Sequence, residues 1–126
     1  MKRLWISLAI LLAIFAGSLV NISYVTQISN RLVTGLNQAE ACAEAGDWSQ
    51  AQTLTRQAQD QWDRYAPYLY MTQCHGTTDE INTGFREVLE CIQWETVPEY
   101  SAANGVLIAE VEHLAEMEKL TLENLL

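Results

Sequence analysis

Apolar residues recur at helical spacing along nearly all of the chain, and no stretch alternates as a strand would. The first 25 residues stand apart. Leu4 to Val25 carries no charge, and its strongly polar members are Ser7, Ser18, Asn21 and Ser23. About 20 apolar residues suffice to cross a bilayer as a helix. Beyond it, Val25, Ile28, Leu32, Leu36, Ala39 and Ala43 form a stripe that prolongs the same helix. Gly46 then supplies a helix stop.

Three more helices follow from the same pattern. Asp47 caps the second, with Gln50 three residues on. Its stripe is Trp48, Ala51, Leu54 or Thr55, Ala58, Trp62, Tyr65 and Leu69, with a kink at Pro67 or an end near Ala66. The third carries Ile81, Phe85, Val88, Leu89 and Ile92, behind a capping box of Thr77 and Glu80, with Asp79 in its first turn. The fourth carries Tyr100, Ala103, Leu107, Val111, Leu114 and Met117, with Thr96 as cap, Glu99 as reciprocal partner and Pro98 in the first turn. Short connections make consecutive helices antiparallel. The predicted fold is all-α: an N-terminal transmembrane helix, residues 1–25, running into an antiparallel up-down bundle of about four helices, residues 26–126. Trp48, Trp62, Phe85, Trp94, Tyr65 and Tyr100 are expected to supply much of the core bulk. Trp94, near a helix end, has a second reading as part of a partner surface. The connections "AEAGDWSQA" and "LECIQWETVPEY" echo one another faintly. No 34-residue period accompanies the echo, so no repeat array is assigned.

Charge gives the helix an orientation. Lys2 and Arg3 precede the apolar run, whereas Glu40, Glu44 and Asp47 outnumber Arg31 after it. Basic flanks stay cytoplasmic. The N-terminus is therefore expected inside, and the bulk of the chain outside. The alternative is a signal peptide cut near Ala16-Gly17-Ser18, although the apolar run outlasts the usual signal core of about 7–15 residues. The outer part holds all 16 acids against Arg31, Arg56, Arg64, Arg86 and Lys119. That balance disfavours nucleic acid and repels anionic lipid. It leaves a solvated acidic surface as the plain reading.

"GDWSQA" at 46–51, "WDRYAPYL" at 62–69 and the ending "EKLTLENLL" at 118–126, together with the apolar start, resemble a bacterial family catalogued as domain of unknown function 4363. The resemblance covers nearly the whole chain. It implies an anchored extracytoplasmic helical domain with no assigned activity. Members tend to carry a histidine followed by acids between the second and third helices. Here Gly76-Thr77-Thr78 separates His75 from Asp79-Glu80.

Candidate chemistry is sparse. His75 and His113 are the two histidines, and the topology brings both toward the membrane end, with Asp79, Glu80 and Glu116 as carboxylate neighbours. Two imidazoles and a carboxylate suit zinc, yet no close ligand pair such as H-x-x-x-H occurs. His113 on the flank of its stripe also reads as a solvated histidine, and "TTDE" reads as a helix start. Cys42 and Cys91 are both placed at the distal end and are the one pair for which the topology permits an intramolecular disulfide; three separate thiols, Cys74 included, are the plainer reading. No nucleophile elbow, phosphate loop or C-x-x-C pair appears, so no enzymatic activity and no cofactor is expected. The expected role is structural or protein-binding, with a protein partner at the membrane or cell envelope. A metal- or small-ligand-binding module using His75 and His113 is the alternative.

Overall fold

The computed structural model describes residues 1–72 and 75–125, with the side chains of all of these except 69–72, 75, 118, 121, 122 and 125. Four helices account for them: α1 (Lys2–Glu44), α2 (Trp48–Thr72), α3 (His75–Trp94) and α4 (Val97–Leu125). The helices pack in cyclic order. α1 lies against α2 and α4, and α3 against α2 and α4, which leaves α1 and α3 on a diagonal.

The core follows a three-four spacing, with Ala66 and Ala115 added beside Tyr65 and Leu114. α1 buries Val25, Ser29, Leu32, Leu36, Ala39 and Ala43. α2 buries Ala51, Thr55, Ala58, Trp62, Tyr65 and Ala66, α3 buries Thr78, Ile81, Phe85, Val88 and Ile92, and α4 buries Tyr100, Asn104, Leu107, Val111, Leu114 and Ala115. A 3.5-residue repeat keeps one seam turned to its neighbours, the geometry of left-handed bundles. Trp94 is not in that core; it is 71% exposed at the distal tip, because α3 ends on it and its seam has already closed at Ile92. Trp48 packs edge-on against Tyr100, with ring centroids 5.7 Å apart.

α1 is one helix of 43 residues, about 65 Å at 1.5 Å per residue. Residues 1–17 are all exposed. Packing begins at the half-buried Ser18, Asn21 and Ile22, ahead of the fully buried Val25. The free and packed parts of α1 therefore meet one to two turns before the 25/26 boundary expected from composition.

The expected end near Ala66 does not occur. α2 runs through Pro67 to Thr72. Pro67 lacks one donor near the helix end, while Tyr65 and Ala66 remain packed in the core, and tertiary burial outweighs the local defect.

The two distal turns share one construction. After α1, Gly46 adopts φ 85°, its N–H reaches the Ala43 carbonyl at 3.0 Å, and the Asp47 N–H reaches that of Cys42 at 2.8 Å. After α3, Glu95 adopts φ 53°, its N–H reaches the Ile92 carbonyl at 3.1 Å, and the Thr96 N–H reaches that of Cys91 at 3.4 Å. Both are Schellman closures, the second with a non-glycine residue in the left-handed position. Glu95 stands 49 residues after Gly46, and the same interval maps Ser29 to Thr78, Leu32 to Ile81, Leu36 to Phe85, Thr55 to Asn104, Ala58 to Leu107 and Trp62 to Val111. Every buried position of α3 and α4 except Gly84, whose counterpart Gly35 is half-buried, matches one of α1 and α2 in this way. The bundle is two like hairpins, closed on each other.

Candidate functional site

Outer grooves and the distal tip present many of the side chains that sequence reasoning singled out, together with several it passed over. Asp47 Oδ1 accepts the Gln50 N–H at 3.2 Å at the start of α2. Thr96 directly precedes α4 and its carbonyl accepts the Tyr100 N–H at 2.9 Å, while Glu99 lies in the first turn. The expected capping box of Thr77 and Glu80 is not formed. α3 already begins at His75, so Thr77 sits inside it and turns its hydroxyl toward Met117 Sδ at 3.9 Å. Asp79 is accordingly one turn further in than expected. Gly76 belongs to the helix.

Cys42 and Cys91 are free thiols, both half-buried. They belong to the diagonal helices α1 and α3, and each packs against its own side of the core. The bridge that the topology permitted is not formed: up-down order sets both cysteines at one end but not on neighbouring helices. Burial, then Glu90, Glu99 and Glu87, pushes the Cys91 thiol up. Cys74 lies outside the described residues.

His113 is exposed on α4 and lines a groove with Thr77, Glu80, Val106, Ala109 and Glu110. The side chain of His75 lies outside the described residues, so its separation from His113 does too. Asp79 and Glu116 are exposed. Among the described residues, no three His, Cys, Asp or Glu side chains gather in a way that holds a metal ion.

The grooves on the two hairpins are counterparts in position and opposites in chemistry. Between α1 and α2, a groove of about 430 Å³ is lined by Asn30, Arg31, Thr34, Gly35, Gln38, Gln57 and Gln61 among others. Between α3 and α4, a groove of about 260 Å³ is lined by Asp79, Glu80, Thr83, Gly84, Glu87, Val106 and Glu110. Each residue of the second set stands 49 positions after one of the first. Amides and an arginine on one face thus become carboxylates on the other. Glu110 is the innermost acid; its Oε2 is buried without a hydrogen-bond partner. Burial, then Glu80 and Glu87, pushes its carboxyl up. Such a face attracts cations and basic segments without fixing either. Sequence reasoning missed the pairing of grooves. Its one trace is Thr34-Gly35 with Cys42, repeated as Thr83-Gly84 with Cys91.

A third groove, of about 700 Å³ between α2 and α3, runs toward the distal tip past Arg56, Arg86, Trp48 and Leu89. Trp94 and Val97 stand exposed at that tip.

These features define a small helical-bundle domain carried on a long apolar helix. The chain belongs to the family named Domain of unknown function (DUF4363), whose model matches residues 19–125. The match starts within a turn of Ser18, where packing onto the bundle begins. No similarity to a curated protein or to a solved structure was found.

Proposed function

We propose that the chain is a single-pass membrane protein, N-terminus inside, whose extracytoplasmic bundle serves a structural or protein-binding role at the cell envelope. One observation carries the reading: Lys2–Gly17 leaves the bundle as bare, apolar helix. A helix apolar on all sides needs lipid or protein around it. Lys2 and Arg3 at its start, against the acidic far side, set the direction. The binding role draws on Trp94, a large aromatic held at the end farthest from the anchor. Aromatic anchors of this kind dominate protein interfaces.

Alkaline carbonate washing of membranes tests the anchor. The full chain is expected in the pellet, and a chain lacking residues 1–17 in the supernatant. Recovery of the full chain in the supernatant would sink the anchor reading. A photoreactive amino acid at position 94 in cells tests the role; a discrete crosslinked band is expected, and an unmodified band alone speaks against a tip partner.

A second reading, a metal- or small-ligand module, draws on His113 sharing its groove with Glu80 and Glu110. Stoichiometric zinc in the purified chain, lost on His113→Ala, would favour it over a pure scaffold.

A further inference from the structure

Five basic residues follow the apolar run, and two of them share one small pocket. Arg31 of α1 and Arg64 of α2 line a space of about 270 Å³ with Tyr24, Ile28, Gln61 and Tyr65. The outer part of the chain holds 16 acids, yet neither guanidinium forms an ion pair among the described residues. Asp60, one helical turn before Arg64, is not drawn to it. Two arginines that line one cavity, with no ion pair among the described residues, suit an anion, since planar guanidinium forks match phosphate oxygens two at a time.

The walls of the pocket are aromatic. Tyr24 meets Tyr65 edge-on at 5.3 Å between centroids and Tyr68 at 6.0 Å. Tyr68, 40% exposed, donates its hydroxyl to Asn21 Oδ1. Tyrosines with one apolar and one wet end collect at the level of lipid headgroups.

The height of the pocket fits. The free part of α1, Lys2–Gly17, spans about 24 Å at 1.5 Å per residue. The hydrocarbon core is about 30 Å thick. The shortfall draws the packed segment that begins at Ser18 down to the outer surface, with Asn21, Tyr24 and Tyr68 at the interface. Arg64 adjoins Tyr65, and Arg31 lies two turns above Tyr24, from where a long side chain reaches back to the surface. The counterpart place on the other hairpin holds Glu80, Glu110 and His113, so a single face carries the anion site.

We propose that Arg31 and Arg64, walled by Tyr24 and Tyr65, hold the phosphate of a phospholipid headgroup and seat the base of the bundle on the outer leaflet. The proposal rests on the membrane-anchored reading. The acidity of the remainder then sets the tilt: one side of the base is held down, and the other is repelled by anionic lipid.

Native mass spectrometry of the full chain, released from detergent micelles doped with phosphatidylglycerol or phosphatidylcholine, tests it. Wild type is expected to retain one lipid of either kind, because both carry the phosphate. Arg31→Gln with Arg64→Gln is expected to weaken retention about tenfold, the size of a lost charged hydrogen bond or more. Arg56→Gln with Arg86→Gln, at the distal end, is the matched control and is expected to retain lipid like wild type. Equal loss in both double variants would overturn a defined site, as would retention by the Arg31/Arg64 variant. Circular dichroism confirms that each variant folds; if the Arg31/Arg64 glutamine pair loses helicity, Arg31→Lys with Arg64→Lys replaces it, with weakened retention again expected and undiminished retention overturning the forked contact. Inorganic phosphate at millimolar concentration is expected to leave the lipid in place; displacement by phosphate alone would reassign the pocket to a free anion. Carbonate extraction of the same wild-type chain separates the two failures. A chain retained in the membrane that binds no lipid overturns this site alone, and a chain not retained overturns the anchor beneath it.

Discussion

Glu95 holds a left-handed φ of 53° at the close of α3, where the matching turn uses Gly46 at 85°. A side chain in that region costs roughly 1–2 kcal/mol, which glycine avoids. The Glu95→Gly chain is expected to be more stable by about 1 kcal/mol, part of the gain being returned as added freedom in the unfolded chain. Chemical denaturation reads this as a higher midpoint at unchanged slope; an unchanged or lower midpoint would show that the turn is not strained. The sequence "WETVPE" revealed a turn here but not its left-handed residue, because glutamate carries no such preference. Tyr100 is a second residue whose state pattern alone does not disclose. Its phenol is pushed up to about 12 by burial and then by Glu40. The Thr55 hydroxyl beside it pulls the other way without reaching hydrogen-bond geometry.

At the scale of helices, the paired glycines Gly35 and Gly84 show how alike the hairpins are and where they part. A Cβ at Gly35 would meet Ala58 Cβ at 3.9 Å, an ordinary contact. A Cβ at Gly84 would meet Leu107 Cδ1 at 2.9 Å and Leu107 Cβ at 3.5 Å, and Leu107 is fully buried. Gly35→Ala is therefore expected to stabilise by about 0.5–1 kcal/mol through helix propensity. Gly84→Ala is expected to forfeit that gain by forcing α3 off α4, at a cost of about 1–3 kcal/mol. Thermal melts of both variants check the contrast, and equal shifts would refute it. The number of the helices and their buried faces were legible in the sequence, because heptad spacing of Leu, Ile, Phe and Trp encodes them directly. Three details escaped for physical reasons. Pro67 is overridden by the burial of Tyr65 and Ala66. Thr77 looks like a cap until an earlier start takes it into α3. The diagonal placement of Cys42 and Cys91 depends on which helices touch, and periodicity along one helix does not carry that.

Over the whole molecule, charge is the lever that conditions move. Glu110 is pushed above its ordinary 4.5 by burial and by Glu80 and Glu87. The folded state therefore holds that proton more tightly than the unfolded chain. Its stabilising effect is present at pH below 4.5 and is lost as pH rises through the folded value. Glu110→Gln is expected to raise the melting temperature at neutral pH and to flatten its fall from about pH 4.5 upward. A melting series from pH 4 to 8 reads both, and parallel curves for the two chains would reject the assignment. The acidity of this face was legible as composition, but its gathering into one groove required the packing of α3 on α4.

The correspondence of buried positions across 49 residues also bears on which hairpin joins which. Where one hairpin carries a small side chain, its twin tends to carry a large one: Ala51 against Tyr100, Ala58 against Leu107, Ala43 against Ile92, and Val111 against Trp62. Two copies of α1–α2 joined together would set Ala51 with Ala51 and Trp62 with Trp62, leaving a hole in one layer and a collision in another. Their polar contacts would fail as well, since the Leu36 carbonyl receives the Asn104 amide at 3.1 Å and Thr55 would stand in its place. On the membrane-anchored reading proposed above, neighbouring chains on one bilayer would offer each other the same heptad seams at high local concentration. Unequal side-chain volumes at equivalent positions would then favour pairing of each hairpin with the partner on its own chain.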